Sequence, residues 1–101
     1  MIARIWRGAV RAEDAPAYAA YVQQTGIKGY QRTPGNLGAW ALWRVAGEQA
    51  EFVTVSLWES RAAIEGFAGQ DIDQAVFYPE DDRFLTERDL TVRHLEVAGP
   101  E

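Results

Sequence analysis

The chain has 101 residues, enough for one hydrophobic core and too few for two. Hydrophobic residues make up 48% and charged residues 25%, the balance of a folded globular domain, so disorder is excluded. The formal net charge of -5 repels phosphate, which argues against nucleic acid and against anionic membrane surfaces as partners. There is no cysteine and a single histidine, so disulfides, thiolate nucleophiles, Cys-based zinc sites and His clusters are out. No apolar run approaches the roughly 20 residues of a membrane span. Arginines interrupt Met1–Arg7, so these residues do not read as a signal peptide, and the expected location is the cytoplasm. Nine of the ten basic residues are Arg, and Lys28 is the exception.

In chain order, Ile2 to Val10 reads as a strand with apolar residues on both faces. Asp14 and Pro16 mark a helix start, and Tyr18, Tyr21 and Val22 recur at helical spacing. Gly26 and Gly29 weaken its end, and Pro34-Gly35 closes it. Leu37 to Val45 is a second strand, Ala46 to Gln49 a hairpin loop, and Phe52 to Trp58 a third strand. Ser60 caps a helix whose apolar stripe is Ala63, Ile64, Phe67 and Ala68. A further helical piece is expected over Ile72 to Phe77, stopping before Pro79. Glu80-Asp81-Asp82 is expected to be a solvated acidic turn leading into a helical turn at Arg83 to Leu85. Leu90 to Val97 is the last strand. Residues 1–98 form the single domain, and 99–101 a frayed tail.

The order β-α-β-β-α-β is the ferredoxin-like plan of the α+β class: one antiparallel sheet with helices on one face. A sheet with one wet face alternates apolar and polar residues, and these strands do not. Leu37, Ala39, Ala41, Trp43 and Val45 take one face of the second strand while Trp40 and Leu42 take the other. Val53, Val55 and Leu57 oppose Phe52 and Trp58 in the third. The helices cover one apolar face, and a homodimer packed sheet to sheet would bury the other.

Three stretches carry a resemblance: Met1-Ile2-Ala3-Arg4-Ile5-Trp6, the strand-to-helix junction Phe52 to Ser60 ending in Trp58-Glu59-Ser60, and the helix Ala63 to Ala68. With the closing Arg93-His94-Leu95-Glu96-Val97, they make the chain resemble the antibiotic biosynthesis monooxygenase-like family of dimeric α/β-barrel proteins. The resemblance implies a homodimer, no cofactor, and oxygenation of a small aromatic, polyketide- or quinol-like ligand held between sheet and helices. Its alternative is a non-catalytic or stress-associated ligand binder of the same fold. In the haem-degrading branch an Asn, a Trp and a His serve catalysis; the matching positions here hold Trp6, Phe67 and Phe77. In the polyketide branch an Asn stands where this chain has Thr54, and Trp58 matches.

His94 is the one side chain that titrates near neutrality unperturbed, which suits a general base. Arg4 shares a strand face with Trp6 and could hold a phenolate or enolate oxygen, or form a salt bridge with Glu96 or a neighbouring carboxylate. Trp6, Trp58, Phe67 and Thr54 are candidate walls for a flat ligand, and the aromatic ones serve equally as core. Tyr18 and Tyr21 read as core with hydroxyls at the rim. Asp71-Ile72-Asp73 and Glu80-Asp81-Asp82 lack the spacing and glycine of a calcium loop.

Overall fold

The computed structural model describes residues 1–99, so most of the expected tail, 99–101, lies outside the described residues. One antiparallel sheet carries the molecule. Its long strands are β1 (Ile2–Arg11), β2 (Asn36–Ala46) and β3 (Gln49–Trp58), in the order β2-β3-β1. The β2–β3 hairpin turns on Gly47-Glu48, with Gly47 at φ 66°, where a side chain would be strained.

Two short strands share the other edge of β1. β4 (Leu85–Arg88) pairs with Gly8–Val10, and β5 (Arg93–Glu96) pairs with Ile2–Ile5. The single closing strand expected over Leu90–Val97 is therefore two half-strands. The pairing breaks beside Trp6, whose indole N–H donates to the Asp89 carbonyl at 2.9 Å. Leu85, expected in a helical turn, opens β4 instead; α4 (Asp81–Phe84) ends one residue earlier.

Helices α1 (Ala15–Val22) and α2 (Lys28–Arg32) run on through a π-helical stretch, Gln23–Ile27. Here the Thr25 hydroxyl takes the Tyr21 carbonyl at 2.8 Å, a side-chain bond that competes with the regular ladder. Gly26 and Gly29 do not end the helix. They make room for Tyr78, whose ring packs across this stretch. α3 (Arg61–Ala68) starts as expected, with Ser60 Oγ accepting from the Ala63 N–H at 3.2 Å.

The helix expected over Ile72–Phe77 does not form. The Ile72 and Gln74 carbonyls are taken by Arg4, and the Asp73 carbonyl accepts from the Val92 N–H at 2.8 Å. These acceptors are unavailable to a helical ladder, and the segment runs as an irregular wall across the helix side of the sheet.

The register assigns both faces. Arg4, Trp6 and Val10 on β1, Phe52, Thr54, Ser56 and Trp58 on β3, and Ala39, Ala41 and Trp43 on β2 look toward the helices. There Val10, Tyr18, Ile27, Phe52, Trp58 and Ile64 form the centre of the core. Ala3, Ile5, Val53, Val55, Leu57, Trp40, Leu42 and Leu95 look the other way, and no element among the described residues covers them. A bulge at Asn36–Gly38 removes Leu37 from the alternation expected for β2. No helix among the described residues is long and apolar enough to cross a membrane.

Candidate functional site

A cleft opens between the sheet and the helices. β1 supplies Arg4 and Trp6, and β3 supplies Thr54. The α1–α2 helix adds Tyr18, Val22, Thr25, Gly26 and Tyr30, and the irregular wall adds Val76, Phe77 and Tyr78. The free space inside is about 30 Å³, the room of about one or two waters. The Trp6 indole lies over Gly8 so closely that a side chain there would come within 2.4 Å of it. Phe77 meets it edge to face, with ring centroids 6.2 Å apart.

Arg4 is the feature with chemical consequence. It is 1% exposed, and among the described residues no carboxylate pairs with it. The salt bridge to Glu96 considered from sequence does not form. One amino group of Arg4 donates to the Ile72 carbonyl and lies 3.1 Å from His94 Nε2; the other donates to the Gln74 carbonyl at 3.0 Å. Its Nε–H is buried with no partner. Burial lowers the Arg4 pKa, an effect opposed by the nearby Tyr30 phenol and by Asp73. The result is a buried cation held by dipoles, with a donor to spare.

His94 stands opposite Arg4 in the β1–β5 register. It does not line the cleft. It lies on the far side of the guanidinium, among Ile2, Arg61, Ile72 and Asp73. Its Nδ1 is 3.4 Å from Asp73 Oδ1. Burial and then the Arg4 charge push its pKa below the ordinary histidine value. Because protonation is harder in the folded state, His94 contributes stability above its unfolded pKa of about 6.5. That contribution is lost as pH falls through this value and on through the lower folded one. Thermal melts are expected to show the wild type losing more Tm between neutral pH and mild acid than His94→Gln does.

The other candidate residues divide. Trp6 and Thr54 line the cleft, and the Thr54 hydroxyl lies 3.5 Å from that of Tyr30. Trp58 is fully buried, with its indole N–H on Ser56 Oγ at 2.9 Å. Phe67 packs between Tyr30 and Trp58, with its ring centroid 5.8 Å from the Arg4 guanidinium carbon. Both stand behind the cleft rather than in its wall.

Sequence reasoning missed Tyr30, Tyr78 and Asp81. Asp81 is not in a solvated turn: it is 5% exposed, accepting from the Tyr18 hydroxyl at 2.9 Å and the Tyr78 N–H at 2.7 Å. Burial, reinforced by Asp81, raises the Tyr18 pKa far above the ordinary phenol value, so Tyr18 is a neutral donor here. The available signal was the three-residue step from Tyr78 to Asp81, at which a carboxylate reaches back to an unpaired N–H ahead of a helix. No group of His, Asp and Glu among the described residues is arranged to hold a metal ion.

No family model and no curated protein matches the sequence. Solved structures do match the fold. A putative antibiotic biosynthesis monooxygenase from Nitrosomonas europaea superposes with a TM-score of 0.68 at 15% identity, over 98% of this chain and 91% of that one. The haem degrader MhuD of Mycobacterium tuberculosis, with two haems bound, gives 0.66 at 22% identity, over 100% and 99%. HapK from Hahella chejuensis gives 0.63 at 17%, over 100% and 96%. The chain thus has the ferredoxin-like α+β fold of the antibiotic biosynthesis monooxygenase-like structures across its length.

Proposed function

We propose that the cleft binds a small aromatic oxyanion and oxygenates it without a cofactor. The observation that carries this reading is Arg4: a buried cation with an unpartnered Nε–H and, among the described residues, no carboxylate paired with it, lining a cleft walled by Trp6, Phe77 and Tyr78. Such a charge favours the phenolate or enolate over its neutral acid. A phenolate with an open para carbon can pass an electron to dioxygen. Recombination forms a carbon–oxygen bond and a ring hydroperoxide, and loss of water leaves a quinone. Both oxygen atoms are accounted for, and no external reductant is consumed. The protein's part is to fix the ring, hold the oxyanion and keep the site dry. A ring enters only when the Val76–Tyr78 wall shifts, because the resting cleft has space for little more than water.

The test is oxygen uptake by the full chain with a dihydroxynaphthalene, with one dioxygen consumed per quinone formed. Tight binding with no uptake would leave the non-catalytic or stress-associated ligand binder. Incubation with haem and a reductant serves as the contrast. Trp6, Phe67 and Phe77 stand where the resemblance places the haem-degrading residues, and no open-chain tetrapyrrole is expected.

The working unit in this reading is a homodimer in the cytoplasm. Support comes from the sheet face that the described residues leave bare, where Trp40 is 50% and Leu42 54% exposed. A second copy presenting the same face would cover it. Sedimentation is expected to give twice the 11.3 kDa chain mass, and Trp40→Glu to give the monomer. Trp43→Glu is the control, because Trp43 looks to the opposite face and stacks on Phe52 at 5.6 Å.

A further inference from the structure

We propose that Asp73 and His94 are the positioning pair for Arg4: the neutral imidazole accepts from one Arg4 amino group and so holds the guanidinium across the inner end of the cleft. The inference rests on the reading of Arg4 as the oxyanion site, and it assigns His94 a different task from proton abstraction.

Hydrogen-bond polarity carries the argument. An arginine has only donors. At 3.1 Å from an Arg4 amino group, His94 Nε2 must therefore offer its lone pair. A neutral ring with a bare Nε2 carries its proton on Nδ1, which points at Asp73 Oδ1, 3.4 Å away. The pair is thus a directed chain: carboxylate, imidazole, guanidinium. The same lone pair cannot also take a proton from a ligand, and His94 stands outside the cleft wall.

Geometry gives this chain its purpose. Arg4 reaches the cleft from β1 with both amino groups tied, to Ile72 and Gln74 carbonyls on the irregular wall and to His94 on β5. Its Nε–H remains buried and unpartnered, and Arg4 lines the same cleft as Tyr30 and Thr54. The charged and titratable groups facing His94 are Arg4 from β1, Asp73 from the wall, Arg61 from α3 and Glu96 on its own strand. A second proton on His94 would set two N–H groups and two cations against each other at 3.1 Å. Asp73 is mostly exposed and hydrated, and screens this poorly. Acid is therefore expected to loosen Arg4 and with it the hold on an oxyanion.

The probe is para-nitrophenol, whose phenolate is yellow, added to the full chain. Wild type is expected to bind the phenolate at least about tenfold more tightly than the phenol, seen as a fall of about one unit in its apparent pKa. His94→Leu, which cannot accept, is expected to lose that preference. His94→Gln, whose amide oxygen can accept, is expected to keep it and to hold it at pH values where wild type loses it. An unchanged preference in His94→Leu would overturn the proposal. Absence of any phenolate preference in wild type would instead overturn the oxyanion reading. Nitrogen NMR of the ligand-free protein then decides the positioning by itself. A bare Nε2 on His94, and slow exchange of the Arg4 side-chain N–H groups that becomes fast in His94→Leu, support it. A protonated Nε2 at neutral pH, or exchange indifferent to the substitution, refutes it.

Discussion

Arg4→Met is expected to abolish phenolate binding and to lower oxygen uptake by about 10²–10³-fold, the usual worth of a preorganised oxyanion donor. Its effect on stability is expected to be modest by comparison. The substitution strips the donor from the Ile72 and Gln74 carbonyls and from His94, and an orphaned buried polar group costs about 1–3 kcal/mol. Against this stands the relief of a buried cation, whose desolvation penalty is several kcal/mol. The two contributions oppose and are of similar size, so the protein should remain folded with only a small net change in stability. Arg4→Lys keeps the charge but loses the planar fork, and should fall between wild type and Arg4→Met. Oxygen uptake and thermal melts on the three proteins check the point. If uptake survives in Arg4→Met, the oxyanion site is elsewhere.

Trp58→Ala is expected to have the opposite profile. Trp58 is fully buried between Tyr30 and Phe67 and bonded to Ser56. Emptying that volume costs about 3–5 kcal/mol. In a domain of this size the loss should lower Tm by more than about 12 °C. Trp58→Phe keeps most of the packing and loses one hydrogen bond, worth about 1 kcal/mol. A Trp58→Ala protein with an unchanged Tm and weakened ligand binding would show Trp58 to be a cleft wall after all.

These two residues also mark how far the sequence could be read. The apolar runs of β1, β2 and β3, the Ala46–Gln49 turn and the Ser60 cap mark the sheet, the hairpin and α3 in the sequence itself. Pairing of the last strand with the first brought His94 opposite Arg4, as the ferredoxin-like order requires. Alternation alone cannot say which of two apolar faces receives the helices, so Trp40 and Trp43 were distinguishable only in three dimensions. The wall at Ile72–Phe77 has helical periodicity, yet tertiary bonds from Arg4 and Val92 claim its carbonyls. Asp81 looks solvated in a run of acids, yet the Tyr18 hydroxyl from α1 donates to it and makes it internal. In the wall and at Asp81 a long-range hydrogen bond overrode a local pattern, and such a bond leaves little trace in neighbouring residues.

The split fourth strand has a consequence for how this molecule could diverge. β4 and β5 anchor independently on opposite halves of β1, and residues 89–92 between them are tied at two places: the Asp89 N–H donates to the Arg7 carbonyl of β1 at 3.0 Å, while the Leu90 carbonyl accepts from the Ala75 N–H at 3.0 Å and the Val92 N–H donates to the Asp73 carbonyl at 2.8 Å. Lengthening a surface connection costs little conformational entropy, about 0.6 kcal/mol per doubling, and an insertion between Asp89 and Leu90 would leave both sets of bonds in place. That stretch contributes Val92 to the cleft and a carbonyl to Trp6. Insertions there would reshape the mouth around Trp6 while leaving strand register and the buried centre alone. The fold thus separates the part that must be inherited unchanged from the part free to explore new ligands.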